Sequence, residues 1–109
     1  MPTNYKVLGQ SNPSATTATS LYTVPAATQS IVSTLTVCNQ AATAATYRIA
    51  VRVAGAALAA NQYVAYDVSL PGNATDTLTL GVTLGATDVI TVYASSATVS
   101  FNAYGSELS

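Results

Sequence analysis

A repeat of two in the large apolar residues restricts this chain's fold more than any other feature of it. In Tyr47-Arg48-Ile49-Ala50-Val51-Arg52-Val53 the large apolar residues hold every odd place, and Arg48, Ala50 and Arg52 hold the even ones. Side chains of an extended strand point alternately to opposite faces, so this pattern marks a strand with one face buried. Val99, Phe101 and Ala103 alternate in the same way with Ser100, Asn102 and Tyr104. The apolar residues of Leu78–Leu84 all fall on even positions. In Gln29–Asn39, Ile31, Leu35 and Val37 are expected on one face and Thr34, Thr36 and Cys38 on the other. Val, Thr, Ile and Tyr dominate these runs and suit a pleated, half-buried surface, while Glu and Lys, the usual fillers of surface helices, are scarce.

Turn formers punctuate the runs at strand spacing. Pro71-Gly72-Asn73 is the strongest, because Pro presets the first φ of a turn and Gly or Asn accepts a positive one. Pro13-Ser14, Pro25, Asn39–Thr43, Gly85–Asp88 and Ser95-Ser96 mark the others. The predicted strands are 4–9, 20–24, 29–39, 45–53, 62–69, 75–83, 88–94 and 98–104. About eight short strands at this spacing predict one antiparallel all-β sandwich of jelly-roll or Greek-key type over residues 1–109. Two stretches stand apart. Ala54–Asn61 is rich in alanine and suits a short helical turn and a tight loop equally well. Residues 2–18 are polar and contain proline, and read as an extended N-terminal arm.

Charge is nearly absent. Charged residues make up 6% of the 109 residues and hydrophobic ones 50%, against about 25% charged in ordinary soluble domains. Thr, Ser, Ala, Asn and Gln must then cover the surface, and such a surface does little to resist association. Lys6, Arg48 and Arg52 are the only basic side chains. They cannot form the basic stripe that neutralises nucleic-acid phosphates or the polybasic patch that holds a membrane surface. No stretch reaches the roughly 20 apolar residues of a membrane helix. The single cysteine, Cys38, sits in an apolar run and cannot form an internal disulfide. The first residues lack the charged and apolar regions of a secretory signal, so synthesis in a cytoplasm is expected.

The reactive residue types are equally sparse. There is no histidine, which removes the commonest general base, the Ser-His-Asp and Cys-His arrangements and any Cys/His zinc site. Phosphate-binding glycine loops are missing. Of the carboxylates, Asp76 and Asp88 follow turns and are expected to bond local backbone, Glu107 lies near the end, and Asp67 lies within a strand. No catalytic residue, cofactor, metal or small-molecule substrate is therefore expected. Seven tyrosines stand against one phenylalanine and no tryptophan. Tyr47 alternates with the core set, whereas Tyr63 and Tyr66, three apart, are expected on opposite faces with one of them outward. Exposed tyrosines suit a partner subunit or a sugar. The candidate partner-contact residues are Arg48, Arg52, Asp67, Tyr63 and Tyr66, with Asp67 paired to an arginine or facing a neighbouring subunit.

Several segments carry a resemblance. Lys6-Val7-Leu8-Gly9-Gln10, a Pro/Ser/Ala/Thr spacer and Leu21-Tyr22-Thr23-Val24-Pro25-Ala26 form its opening. Ile31–Asn39, Thr46–Val51, Thr87–Ala94 and Val99–Gly105 continue it over nearly the whole length. The chain resembles small structural proteins of tailed-bacteriophage virions, as in cyanophages. The resemblance is to a class of β-module and not to one place on the particle. It implies a β-sandwich assembled as a symmetric oligomer, often a trimer, on a shell or tail, and hence location in the virion. The first expectation is a capsid decoration, or cement, protein bound outside the lattice of the major capsid protein. A fibre, neck or baseplate adaptor is the alternative within the virion, and a host-surface carbohydrate-binding module is the alternative of a different class.

Overall fold

The computed structural model describes residues 3–109. Among these residues the strands are β1 (Thr3–Ser11), β2 (Thr19–Thr23), β3 (Gln29–Asn39), β4 (Ala45–Arg52), β5 (Tyr63–Leu70), β6 (Thr75–Leu78), β7 (Val82–Leu84), β8 (Val89–Ala94) and β9 (Val99–Leu108). They form two antiparallel sheets. One has the order β1-β9-β3-β6, with β7 also on β3, and the other has the order β2-β8-β4-β5.

β6 and β7 act as one interrupted strand. Leu35–Cys38 of β3 pair with β6, and Ser30–Val32 pair with β7 along the same edge. Counted that way, eight strands alternate between the sheets except for the β4–β5 pair, which is the order of a jelly roll. The interruption replaces the single strand expected over 75–83. Gly81 lies between the two pieces at φ +61°, a left-handed conformation that takes the chain out of the ladder. Leu80 beside it is exposed.

The core lies between the sheets. Phe101, Leu35, Ile49, Leu70 and Ile90 are fully buried there, and Tyr47 joins them as its alternation predicts. Val99, Phe101 and Ala103 all face inward, as expected. One face assignment changes. A bulge in β3 between Val32 and Thr34 shifts the register against β9, so Val32 points inward and Ile31 outward. The extra residue reverses the parity of everything on one side of it. Ile31 therefore does not share a face with Leu35 and Val37.

The larger part of the stretch expected as an arm lies in the sheet. Thr3–Ser11 pair with β9 as edge strand β1, and Leu8 joins the core cluster. Pro2, where the arm was expected to begin, lies outside the described residues. Removing residues 2–18 would strip an edge strand from the sandwich rather than a free tail. The alanine-rich stretch holds two single 3-10 turns, Val53–Gly55 and Ala60–Gln62, joined by loop.

The connections gather at two ends. At one end, Asn39 ties the loop after β3 to those after β5 and β8, by bonds to Thr43 O, Leu70 O and the Thr98 hydroxyl. At the other end, the Asp88 carboxylate accepts from the Ala54 and Gly85 amides and joins the β4–β5 connection to the β7–β8 turn.

Candidate functional site

Four of the five expected contact residues, Arg48, Asp67, Tyr63 and Tyr66, are brought together by irregularities in β5, on the outer face of the sheet. The β4–β5 register shifts twice, between Tyr47 and Ile49 and between Ile49 and Ala50. Asp67 takes a left-handed φ of 50° inside the strand, a conformation in which Asp is among the tolerated residues. The shifts cancel the expected separation of the two tyrosines. Tyr63 and Tyr66 do not lie on opposite faces, because their ring centroids are 4.9 Å apart, edge to face.

Arg48 organises this cluster. Its Nε and Nη2 donate to the Asp67 carboxylate at 2.6 and 3.3 Å. Its guanidinium also lies 4.2 Å from the Tyr66 ring centroid and 4.4 Å from that of Tyr93. A planar cation between two π faces, with a carboxylate on its edge, has few free contacts left. The hydrogen bond from Arg48 holds the Asp67 carboxyl below the usual carboxylate range, and the same bond raises Arg48. The cluster is thus fixed, ionised and neutral overall. Asp67 keeps part of its edge in solvent, with 45% of its side chain exposed.

Beside the tyrosines lies a shallow depression of about 580 Å³ lined by Leu58, Ala59, Ala60, Tyr63 and Tyr66. Its alanine wall has little bulk of its own and is braced from behind. Gln62 accepts from the Ala59 amide and donates to Ala57 O. Arg52 donates to Ala56 O at 2.7 Å and to Gly55 O at 3.0 Å. Arg52 also donates to the Thr91 hydroxyl at 3.4 Å, so it braces the loop against β8 and stands apart from the Arg48–Asp67 pair. The sequence reading also missed Tyr93 and Leu58. Tyr93 was detectable, because Val92 and Ala94 face the core and so place it outward. Leu58 is the one large apolar residue in the alanine run.

The other carboxylates are engaged elsewhere. Asp88 accepts from the Gly85 amide of its own turn, as its position predicts, and also from the distant Ala54 amide. Asp76 does not bond local backbone: it lies on β6 and accepts from the Tyr47 hydroxyl at 2.9 Å across the sandwich, and burial pushes that phenol upward. Glu107 is buried, accepts from the Tyr22 hydroxyl, and pairs with Lys6 at 3.1 Å. The Tyr22 hydroxyl also bonds Ser30. The bond from Tyr22 lowers the Glu107 carboxyl below its ordinary value of 4.5. Burial, with Glu107 beside it, pushes Tyr22 from 10.0 up to about 12.

These shifts set a stability profile. A depressed carboxyl contributes stability above its unfolded value and loses it as pH falls through the folded one. A raised tyrosine contributes fully below its unfolded value and loses it as pH rises through the folded one. Denaturant midpoints of the wild type should therefore fall below pH 4.5 and again above pH 10.0. Glu107→Gln should flatten the acid limb, and an unchanged acid limb would remove Glu107 as its source.

Among the described residues no cluster of His, Cys, Asp and Glu could hold a metal ion, and no helix is long and apolar enough to cross a membrane. A second apolar display lies on the outer face of the other sheet, where Tyr5 is 85% exposed and Val7, Ile31 and Tyr104 are also exposed. The pairing brings these residues into two adjoining rows, Tyr5–Ser106–Ile31 and Val7–Tyr104–Thr34. No family model, characterised protein or solved structure matches the chain.

Proposed function

We propose that the protein is a structural subunit of a tailed-bacteriophage virion, acting as a capsid decoration protein that binds outside the major capsid lattice and stabilises it. The observation that carries this reading is the Tyr5, Val7, Ile31 and Tyr104 surface on a protein with 6% charged residues. Exposed aromatic and aliphatic side chains grouped on one sheet face mark a surface for association. The engagement of every carboxylate in a structural bond favours a passive role over a catalytic one. The sequence resemblance supplies the virion context, and jelly rolls are common in viral shells, although a fold alone does not assign a function. The partners in this reading are the major capsid protein and further copies of the chain, as a trimer. A protein that binds only the assembled lattice stabilises it by mass action at every copy.

The test is attachment. Recombinant protein added to expanded shells lacking it should co-sediment with them and raise their melting temperature. Tyr5→Ser with Tyr104→Ser should weaken attachment by about 2 kcal/mol or more, the range of aromatic anchor residues. A few to a few dozen copies per virion would move the protein to the fibre, neck or baseplate. A chain that stays monomeric and is missing from purified virions would end the proposal.

A further inference from the structure

We infer that the depression beside Tyr63 and Tyr66 is a binding site for the ring of a neutral hexopyranoside. The inference is separate from where the protein sits on a particle, because it rests on the opposite sheet from the Tyr5–Tyr104 surface.

A pyranose presents one face of C–H groups and a rim of hydroxyls. Its receptor therefore needs an exposed aromatic face, since the ring's negative π cloud attracts C–H groups, with hydrogen-bonding atoms at the edge. Tyr66 is 57% exposed, and it packs at right angles against Tyr63, both rings lining the depression. The phenol hydroxyls can donate or accept, and the exposed edge of Asp67 can accept from sugar hydroxyls. Leu58, 42% exposed, closes the apolar rim.

Rigidity favours a small ligand. Gln62 and Arg52 fix the alanine wall, and Arg48 fixes Tyr66 and Asp67. A site ordered before binding loses little conformational entropy on binding. The charge state selects the class. Arg48 is already matched by Asp67, so the site offers no free cation to a phosphate, a sialic acid or a nucleic-acid backbone. A stacked base would be held by its ring alone, without the basic groove that single strands require.

The test uses the full chain on a glycan array of neutral and acidic oligosaccharides. It is followed by saturation-transfer NMR with maltotetraose, cellotetraose and β-galactoside oligomers. At least one neutral glycan should bind, with amide shifts confined to residues 56–67 and Tyr93. Tyr66→Ala should weaken binding about tenfold, and Tyr66→Phe should keep most of it. Tyr104→Ala, on the other sheet, should change nothing. Asp67→Asn keeps a residue that tolerates the left-handed backbone but unmasks Arg48. It should therefore gain binding to acidic glycans that the wild type ignores. Any of three results would overturn the site: no neutral glycan bound at millimolar concentration, binding untouched by Tyr66→Ala, or preference for a proline-rich decapeptide over every glycan.

Discussion

Phe101→Ala is expected to remove about 3–5 kcal/mol of folding stability, the range for truncating a fully buried aromatic residue. Phe101 is 0% exposed and lies on β9, the strand held between β1 and β3. Its ring meets Tyr47 from the opposite sheet edge to face, with centroids 6.2 Å apart and planes at 74°. The substitution therefore opens a cavity in the layer that holds the two sheets together. The walls can close only partly, because Tyr47 is anchored at its far end by Asp76. A domain of this size has about 5–15 kcal/mol in total, so much of its stability would be lost. The melting temperature should fall by roughly 15–25 °C. Phe101→Leu, which keeps most of the volume, should cost less than about 1.5 kcal/mol. Urea titration with an unchanged slope would read both values. A loss below about 1 kcal/mol for the alanine variant would show that the inter-sheet contact does not carry the fold.

The fold was legible wherever alternation ran unbroken. Tyr47–Val51 and Val99–Ala103 could be assigned a face from residue type alone, because a repeat of two has one physical meaning when one side is buried. Reading failed where the backbone inserted a residue. The bulge at Ser33 leaves no mark in composition, and it moved Ile31 to the surface. Gly81 did leave a mark, since glycine inside a strand pattern signals a break, but an all-even apolar run outweighed it. The same parity, carried further, would have placed Asn39 and Glu107 inward. They follow Leu35 and Val37, and Phe101 and Ala103, at even spacing, yet Asn39 also opens the turn-forming run Asn39–Thr43, and Glu107 lies beyond the strand predicted over 98–104.

The candidate site was half legible. Residue types flagged Arg48, Asp67, Tyr63 and Tyr66, because an ion pair and amphipathic rings are conspicuous in a chain with so few charges. Their grouping was hidden, since it depends on two register shifts and a left-handed Asp67 that only the partner strand makes visible. Arg52 shows the converse. It shares strand parity with Arg48, and parity cannot tell a cation that meets a carboxylate from one that closes a loop on backbone carbonyls.

The second large effect is expected at a polar residue. Asn39→Leu keeps the approximate volume and should still cost about 3 kcal/mol or more, because it leaves several groups unpaired. Asn39 is 1% exposed. Its Oδ1 accepts from the Ala41 amide at 3.1 Å and the Thr98 hydroxyl at 3.0 Å, and its Nδ2 donates to Thr43 O at 2.8 Å. Nδ2 also faces Pro71 O, on the turn where Asn73 takes φ 55°. One amide thus satisfies donors and acceptors from three connections, and an apolar side chain can replace none of them. Hydrogen exchange should report the loss locally, with protection falling at residues 40–44 and 71–74 while β8 and β9 stay protected near the global limit. Asn39→Asp separates the two halves of the amide. An ionised carboxylate keeps the bonds from Ala41 and Thr98 but turns acceptors toward the carbonyls, and burial raises its folded pKa above the unfolded value. The folded state of this variant then favours the protonated carboxyl, so its deficit against wild type should shrink as pH falls and widen as pH rises through the folded value. A deficit independent of pH would mean that the Thr43, Leu70 and Pro71 carbonyls do not need the donor that Asn39 supplies.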